Sequence, residues 1–536
     1  MKAPAVPPDK TRFLLRNINL FFDEDESSLQ LRVAERFSLD KDDLTDFRIL
    51  RKGIDARKKP RIRYIYTVEF TVADAENFWS RFSGEPDLQI TEVATPPETG
   101  KIKTRTRIVI VGSGPAGIFA ALRLCDYGIE PVILERGGPV EERVRKVERF
   151  WESGELDEES NVQFGEGGAG TFSDGKLTTR VRDPNAAYVL RRLVEFGAPQ
   201  EVEWLAKPHI GTDRLRLVLL NIRRFLQNSG TDIRFCSKLT GFGMMAKGIG
   251  TVMINDLQEE PCDRLLMAPG HSARDTYAML SASGALMEQK AFAVGLRVEH
   301  PQELINMIQY GRPSDQRLPP ADYALAWNDE KSGRSAYSFC MCPGGEVIAS
   351  SSESGGVVTN GMSYLGRGSG WANSALVATV RTGDFESSSP LAGISFQRAL
   401  EAAAFKLGGG GYKAPAQKIT SFLGKPGGGA LSSTYRPGIV EAELSGLFPD
   451  FITTTLKDGI AAFDRKMRGF ITSEATLVGV ESRTSAPLRI IRGENFQSPT
   501  VAGLYPCGEG AGYAGGIMSS ALDGIRVADA VAKGLY

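Results

Sequence analysis

The stretch Arg107-Ile-Val-Ile-Val-Gly112-Ser-Gly114-Pro-Ala-Gly117-Ile-Phe-Ala-Ala121 decides the fold of this chain. An apolar run leads into the spacing G-x-G-x-x-G, and a helix-favouring sequence follows it. In this arrangement Gly112 permits a tight turn, Gly114 lets the backbone approach a pyrophosphate, and Gly117 allows a helix to pack closely on a strand. The N–H groups at the start of the helix then face the phosphates. The segment therefore predicts a dinucleotide-binding β-α-β unit.

A second strand and an acidic residue follow this unit at the spacing that a dinucleotide site requires. The run 131–134 is apolar, and Glu135 comes next, 18 residues after Gly117. A carboxylate at this place accepts hydrogen bonds from an adenosine ribose. We therefore predict cofactor contacts at Gly112, Gly114, Pro115, Ala116, Gly117, Glu135 and Arg136.

The chain ends with a further Gly-rich turn before a helix. Residues 503–524 have the pattern of a strand, an acidic turn and a helix. This pattern resembles the closing motif of flavoproteins of the two-dinucleotide-binding type, in which the acidic residue contacts the ribityl chain and the helix start faces the flavin pyrimidine ring. A helix start near flavin N1 and O2 would stabilise the charge of reduced flavin. The resemblance implies FAD, in contact with Gly508, Glu509, Gly515, Gly516 and Ile517.

Two segments between these ends agree with FAD binding. The turn Ala268-Pro269-Gly270 closes an apolar strand and resembles the A-T-G-like segment of the same flavoproteins, with Pro269 in place of the commoner Thr. The run Gly165–Lys176 is too rich in glycine for a core element. It predicts backbone wrapped over the pyrophosphate or the isoalloxazine, with a plain flexible loop as the alternative. The predicted contacts in these two segments are Gly168, Thr171, Ser173, Lys176 and Gly270.

Together the four segments resemble the bacterial FAD-dependent dehydrogenase family often labelled NAD(FAD)-utilising dehydrogenases. The resemblance covers nearly the whole chain, including the turn at residues 53–59. It implies non-covalent FAD and an oxidoreductase activity, and it implies no settled substrate. No other G-x-G-x-x-G follows a predicted strand and opens a helix, so NAD(P)H would have to dock transiently as a reductant.

The length of 536 residues predicts about three domains. The fold class is α/β, with a Rossmann-like FAD-binding domain over 105–290, an inserted α+β substrate or cap domain over 291–490 and a return to the FAD-binding domain over 491–536. Residues 1–95 predict a small ferredoxin-like N-terminal domain of βαββαβ order. Residues 96–104 contain Pro, Gly and charged residues and predict a linker between the domains.

Composition excludes several function classes. The 64 basic and 65 acidic residues give a net charge of −1, so no whole-chain field draws the protein to nucleic acid or to an anionic membrane. No apolar run approaches the 18 or so residues of a membrane helix, and Met1–Lys10 has no apolar core of a signal peptide. These features predict a soluble, cytoplasmic protein.

Histidine and cysteine usage predicts no metal site, because the three histidines and six cysteines are scattered. The closely spaced pair in Cys340-Met341-Cys342 predicts packed, reduced thiols, with dithiol chemistry as the alternative. The turn Arg51–Arg63 is locally basic. It predicts a solvated hairpin tip, and a site for a phosphate backbone is the alternative.

Three side chains are candidate catalytic groups. Glu481 and Arg483 precede the return to the FAD-binding domain, where they could orient an anionic or carbonyl substrate over the flavin; an ordinary polar surface is the alternative. His271 follows the turn at 268–270 and could act as an acid or a base, or hold the flavin covalently.

Three functions are compatible with these features. The first is a FAD-dependent oxidoreductase that transfers hydride between a small-molecule substrate and the flavin. The second is a flavin-dependent enzyme that modifies RNA through the basic turn Arg51–Arg63, and the third is a non-enzymatic flavin-binding protein that recruits a partner. The motifs favour the first function and leave the substrate, the electron donor and the oligomeric state open.

Overall fold

The computed structural model of the protein describes residues 11–91, 100–179, 181–426 and 429–535. Residues 1–10 and residues 96–99 of the predicted linker lie outside the described residues. None of the described helices combines the length and the apolarity that a bilayer span requires.

The N-terminal module has the predicted order of elements. Its helices and strands are β1 (Arg12–Phe21), α1 (Ser28–Phe37), β2 (Thr45–Asp55), β3 (Arg63–Thr71), α2 (Ala75–Phe82) and β4 (Leu88–Thr91). The strands form an antiparallel sheet in the order β2-β3-β1-β4. Alternate residues of β1 and β3 face the helices because side chains of a strand alternate between its two faces. Phe13, Phe37, Phe70 and Phe78 are buried between sheet and helices.

The next part of the chain begins a parallel sheet and its covering helices. Its elements are β5 (Ile108–Val111), α3 (Pro115–Asp126), β6 (Val132–Leu134), α4 (Val140–Ser153), α5 (Ala186–Glu195), α6 (Thr212–Asn228), β7 (Asp232–Arg234), β8 (Leu239–Met245), β9 (Gly248–Ile254), β10 (Gln258–Pro261), β11 (Arg264–Met267), α7 (Arg274–Ala282) and β12 (Met287–Gln289). Strands β8, β9 and β10 form a separate antiparallel sheet.

A mixed α/β region with a large sheet follows. Its elements are β13 (Phe292–Pro301), α8 (Gln302–Tyr310), β14 (Ala326–Asn328), β15 (Ser335–Cys342), β16 (Glu346–Ala349), β17 (Thr359–Met362), β18 (Trp371–Val380), α9 (Ala392–Leu407), β19 (Ala414–Lys418), α10 (Ile419–Phe422), β20 (Ile439–Glu441), α11 (Asp450–Lys466), β21 (Thr476–Glu481) and β22 (Leu488–Ile490). The large sheet has the order β14-β15-β18-β13-β21-β19-β20. Strand β13 is buried along most of its length, as expected for a central strand covered on both faces.

The chain then returns to the parallel sheet through β23 (Leu504–Pro506) and ends with α12 (Ile517–Lys533). The order of this sheet is β23-β11-β5-β6-β7, and every neighbouring pair is parallel. Helix α12 packs tightly on α3, since a Cβ added at Gly524 would lie 2.1 Å from the Ala116 carbonyl oxygen. The carboxyl ends of β5, β11 and β23 therefore meet at one edge, where ligands bind in open parallel sheets.

The N-terminal module packs against the rest of the protein through β2 and the segment that leads into β3. The Lys52 N–H donates a 2.8 Å hydrogen bond to the Trp204 carbonyl, and the Tyr64 hydroxyl donates a 2.6 Å bond to the Arg317 carbonyl. Ile62 is completely buried and belongs to the core of the large-sheet region. This module therefore shares apolar packing with the neighbouring region.

Several side chains of the basic turn have partners within the protein. Lys52 forms an ion pair with Glu26, and Arg57 pairs with Asp55 at 2.7 Å. Lys59 donates to a main-chain carbonyl, that of Ile308. The Lys59 contact joins the turn to the large-sheet region, and the other two pairs lie within the N-terminal module.

Candidate cofactor cavity and active site

A cavity of about 380 Å³ lies at the carboxyl edge of the parallel sheet, within the size range of small-molecule and cofactor sites. Its wall brings together all four segments that the sequence analysis selected. The predicted residues that line it are Gly112, Gly114, Pro115, Ala116, Glu135, Arg136, Gly168, Ser173, Lys176, Gly270, Glu509, Gly515, Gly516 and Ile517, together with Glu481, Arg483 and His271.

The glycines of the first turn have different roles. A Cβ added at Gly112, which has φ of 96°, would lie 2.2 Å from the Ala268 carbonyl oxygen, and one at Gly117 would lie 1.9 Å from the Gly112 carbonyl oxygen. These two glycines are required by packing. A Cβ at Gly114 would meet only the Gly168 Cα, at 3.8 Å, and both residues line the cavity. Gly114 thus leaves space at the start of α3, which fits the close approach of a pyrophosphate.

The Gly-rich loop at 165–176 is held in place by a buried guanidinium, so the alternative of a plain flexible loop is not supported. Arg143 on α4 is completely buried. It donates to the carbonyls of Asn161 at 2.8 Å and Glu166 at 2.6 Å, and to the Thr171 hydroxyl at 3.0 Å. Burial lowers the pKa of Arg143 to about 9, so the side chain remains charged at neutral pH.

Two predicted contacts in these segments face the protein interior. Thr171 is fully buried and binds the loop itself, because its hydroxyl donates to the Glu166 carbonyl at 2.9 Å. Gly117 lies within α3, behind the turn. Neither residue lines the cavity. Both stabilise the segments that form its wall.

Glu135 lines the cavity, and its carboxylate binds protein groups. Oε2 accepts from the Ser113 N–H at 2.8 Å and the Ser113 hydroxyl at 2.9 Å. Oε1 accepts from the N–H groups of Gly137 at 3.0 Å and Gly165 at 2.9 Å. The carboxylate therefore ties the first turn, the end of β6 and the Gly-rich loop together, and its contact with a ribose stays a prediction.

Arg136, also predicted as a cofactor contact, is engaged by acidic partners. Its guanidinium lies 2.7 Å from Glu159 and 2.9 Å from Asp275, and it stacks 4.1 Å above the Phe164 ring. Lys238 pairs with the same two carboxylates. This network fixes the cavity end next to Glu135.

The start of α12 also lines the cavity. A Cβ added at Gly515 or Gly516 would meet nothing within 4 Å. The Gly515 N–H already donates to the Ser519 hydroxyl at 3.1 Å, so the donors left for a ligand are those of the first helical turn, which have no intrahelical acceptor. Gly508 lies behind the wall, because its N–H donates to Asp523 at 2.7 Å and an added Cβ would meet Ala116 at 2.6 Å.

Glu509 presents a carboxylate to the cavity. Burial raises the pKa of Glu509 to about 7, and Lys290 opposes this shift. Within the described residues, no group donates a hydrogen bond to this carboxylate. Such an acceptor fits a hydroxyl-rich chain such as the ribityl group, because buried polar groups require partners.

The three candidate catalytic side chains all line the cavity. Glu481 and Arg483 form ion pairs, and His271 is neutral. Glu481 accepts two hydrogen bonds from Arg297, at 2.7 and 3.0 Å. Arg483 binds Glu401 at 2.8 and 3.0 Å, and Glu401 also binds Arg274. The prediction that Glu481 and Arg483 orient a substrate is untested, and both side chains already have charged partners.

His271 lines the cavity, and its role as an acid or a base stays a prediction. Burial, with Arg483 and Arg274 nearby, lowers the pKa of His271 to about 3. A neutral imidazole with so low a pKa is a poor proton donor and a weak base at neutral pH. Its Nδ1 lies 2.9 Å from the Ser272 hydroxyl, so a hydrogen-bonding role is favoured.

Sequence reasoning missed several residues of the wall. They include Gln163, Ser237, Leu239 and Asn360. Most have no local signature, because long-range folding brings them to the cavity. Cys340 belongs to the motif that the sequence analysis interpreted chiefly as packed thiols, and in the structure it faces the cavity.

Family models match three parts of the chain. A model described as a FAD binding domain matches residues 105–146, and one described as a FAD-dependent protein, C-terminal domain-like, matches residues 291–484. A domain of unknown function matches residues 15–71. The match to the FAD binding domain covers the segment where the structure places the glycine turn of the cavity.

An uncharacterized protein of Clostridium beijerinckii is 45% identical over 521 residues, which cover 96% of this chain and 97% of that protein. The chain belongs to the same family as this clostridial protein. Among solved structures, the flavin-dependent brominase Bmp2 matches with 13% identity over 81% of this chain and 80% of its own, with a TM-score of 0.37. L-proline dehydrogenase from P. horikoshii matches with 14% identity over 81% of this chain and 95% of its own, with a TM-score of 0.32.

Proposed function

We propose that this protein is a FAD-dependent oxidoreductase whose cavity holds non-covalent FAD beside a small-molecule substrate. The observation that carries the proposal is the shared cavity wall of Glu135, Gly114 and the start of α12. At Gly114 an added Cβ would meet one atom, at 3.8 Å, and at Gly515 and Gly516 it would meet nothing within 4 Å. The FAD-binding match at residues 105–146 supports it.

Different residues of the wall would contact different portions of FAD. Gly114 and the first turn of α3 would hold the pyrophosphate, and the end near Glu135 and Lys238 would hold the adenosine. Glu509 would accept hydrogen bonds from the ribityl hydroxyls. The first turn of α12 would direct its N–H groups to the flavin ring.

Bound flavin supplies reversible two-electron transfer as hydride. The protein's own residues orient the reactants and fix the electrostatics. The Arg297–Glu481 pair and the Arg274–Glu401–Arg483 cluster place compensated charges along one wall. Charges held in this way are preorganised and change little during a reaction. NAD(P)H remains a candidate reductant that docks transiently.

The decisive experiment compares FAD binding by wild type and by Gly114→Val. Gly114 has φ of −74° and an extended ψ, which valine tolerates, so we expect the variant to fold and to lose FAD through steric overlap. Gly383→Val is the matched control, because an added Cβ there meets nothing within 4 Å and the residue does not line the cavity. A colourless wild-type protein that takes up no added FAD would overturn the proposal.

Activity is then tested by anaerobic reduction of the bound flavin with NADH, NADPH and a panel of metabolites. Bleaching of the flavin absorbance by one of them would identify the electron donor. A protein that binds FAD and is reduced by no donor would support flavin binding without catalysis.

A further inference from the structure

A pair of thiols lies at the cavity, outside the parts that would hold a dinucleotide. Cys340 on β15 lines the cavity, and Cys342, two residues further on, is completely buried. The Cys342 thiol lies 3.3 Å from the Cys340 carbonyl oxygen, to which it donates. A molecule in the cavity can therefore reach Cys340 first, with Cys342 directly behind it.

The backbone is distorted at Cys340. Strand β15 loses its register with β18 between Phe339 and Cys342. Within this bulge Cys340 has φ of 44°, a left-handed conformation that residues with a side chain seldom adopt. Bulges of this kind re-aim a side chain and are frequent beside active sites, and strained residues cluster where function requires them.

Two cationic side chains, Lys176 and Arg297, contact the bulge. Lys176 contacts the Met341 carbonyl, and its Nζ lies 3.9 Å from the Cys342 sulfur. Arg297 donates to the Cys340 carbonyl at 3.1 Å. The hydrogen bond from Cys342, followed by the charges of Lys176 and Arg297, holds the pKa of Cys340 below its ordinary value, while the pKa of Cys342 is raised. Nearby cations favour the thiolate, which is the nucleophilic form of cysteine.

We propose that Cys340 and Cys342 form a redox dithiol that exchanges with a disulfide substrate entering the cavity. The Cys340 thiolate attacks one sulfur of R–S–S–R, which forms a mixed disulfide and releases RS⁻. The Cys342 thiol then loses its proton and attacks the Cys340 sulfur, so that the protein disulfide forms and the second RS⁻ leaves. The dithiol is oxidised by two electrons, and the external disulfide is reduced to two thiols.

The inference that disulfides or dithiols are the substrate class of the flavin site rests on the proposed function. The exchange itself uses only residues of the chain, so it can be tested separately. Trypsin releases residues 335–367 as one peptide, which contains both cysteines and no other cysteine.

The probe is 4,4′-dithiodipyridine, a small neutral disulfide, added to the protein as purified with its flavin. We expect the wild-type peptide to lose two hydrogens and to carry no thiopyridine. Cys342→Ser should retain one thiopyridine on Cys340, and Cys340→Ser should leave the peptide unmodified. Cys342→Ala provides a second test of the same step if the serine variant folds poorly, and Cys236→Ser is the control for reaction at an exposed thiol.

An unmodified wild-type peptide, or a mixed disulfide on wild-type Cys340 that never resolves, would overturn the dithiol proposal. In a separate anaerobic arm, dithiothreitol should bleach the flavin of the wild type, with loss of this bleaching in Cys340→Ser. Equal bleaching of both proteins would overturn the substrate class. Internal disulfide formation in a protein that binds no FAD would overturn the proposed function and leave the dithiol intact.

Discussion

Arg297 and Glu481 form a two-point ion pair inside the protein, with Nη2 2.7 Å from Oε1 and Nε 3.0 Å from Oε2. Arg297 is completely buried, and only 3% of Glu481 is exposed. Water cannot replace either partner, so each charge depends on the other. The pair joins β13 to β21 at the wall of the cavity.

Glu481→Leu should therefore destabilise the fold by about 3–5 kcal/mol, because it leaves a buried guanidinium unpaired. The double variant Arg297→Met/Glu481→Leu should lose less than the sum of the single variants, which urea unfolding can measure. The control is Glu288→Leu, which removes the exposed pair with Arg489 and should cost at most about 1 kcal/mol. Additive losses in the double variant would contradict the coupling.

Arg143→Met should disorder the Gly-rich loop, because the carbonyls of Asn161 and Glu166 and the Thr171 hydroxyl lose a charged donor. We expect weaker FAD binding and faster cleavage after Phe164 within residues 161–171, measured by flavin titration and limited chymotrypsin digestion. Arg145→Met is the control on the same helix, since Arg145 makes an exposed bond to the Glu141 carbonyl. Unchanged loop protection in Arg143→Met would contradict this role.

Ile517→Pro should lower the two-electron reduction potential of bound FAD. Ile517 is the first residue of α12, where proline is tolerated and deletes one N–H donor. Each 1.4 kcal/mol lost from the reduced form corresponds to about 30 mV for a two-electron couple, which dye equilibration resolves. Ile517→Ala removes the side chain and keeps the N–H, so it should leave the potential closer to that of the wild type. An equal shift in both variants would exclude the N–H as its cause.

Glu509 should make the flavin-free protein less stable as pH rises. Its pKa is raised in the folded protein from 4.5 to about 7, so between these values the folded state binds a proton that the unfolded chain has released. Stability is therefore present below about pH 4.5 and is lost as pH rises through about pH 7. Glu509→Gln should gain stability relative to the wild type between pH 5 and pH 8, measured by thermal unfolding. A constant difference across this range would contradict the assignment.

Local sequence was sufficient for the turns and their glycines. Gly112 and Gly117 are required where a Cβ would meet a carbonyl oxygen at 2.2 and 1.9 Å, and this steric demand arises within one β-α unit and its neighbouring strand. The predicted order of elements over residues 11–91 also appears in the structure. This order can be predicted because the spacing of apolar residues along the chain differs between helices and strands.

The partners of the cavity side chains were decided by tertiary structure. Glu481 pairs with Arg297, 184 residues away in the sequence, and Lys176 approaches Cys342 across 166 residues. The sequence indicated that Glu481 and Arg483 reach the cavity, and it could not show that their charges would already be paired. Burying a charged side chain costs free energy unless an opposite charge lies beside it. Which side chain supplies that opposite charge depends on which strands become neighbours when the sheets pack together.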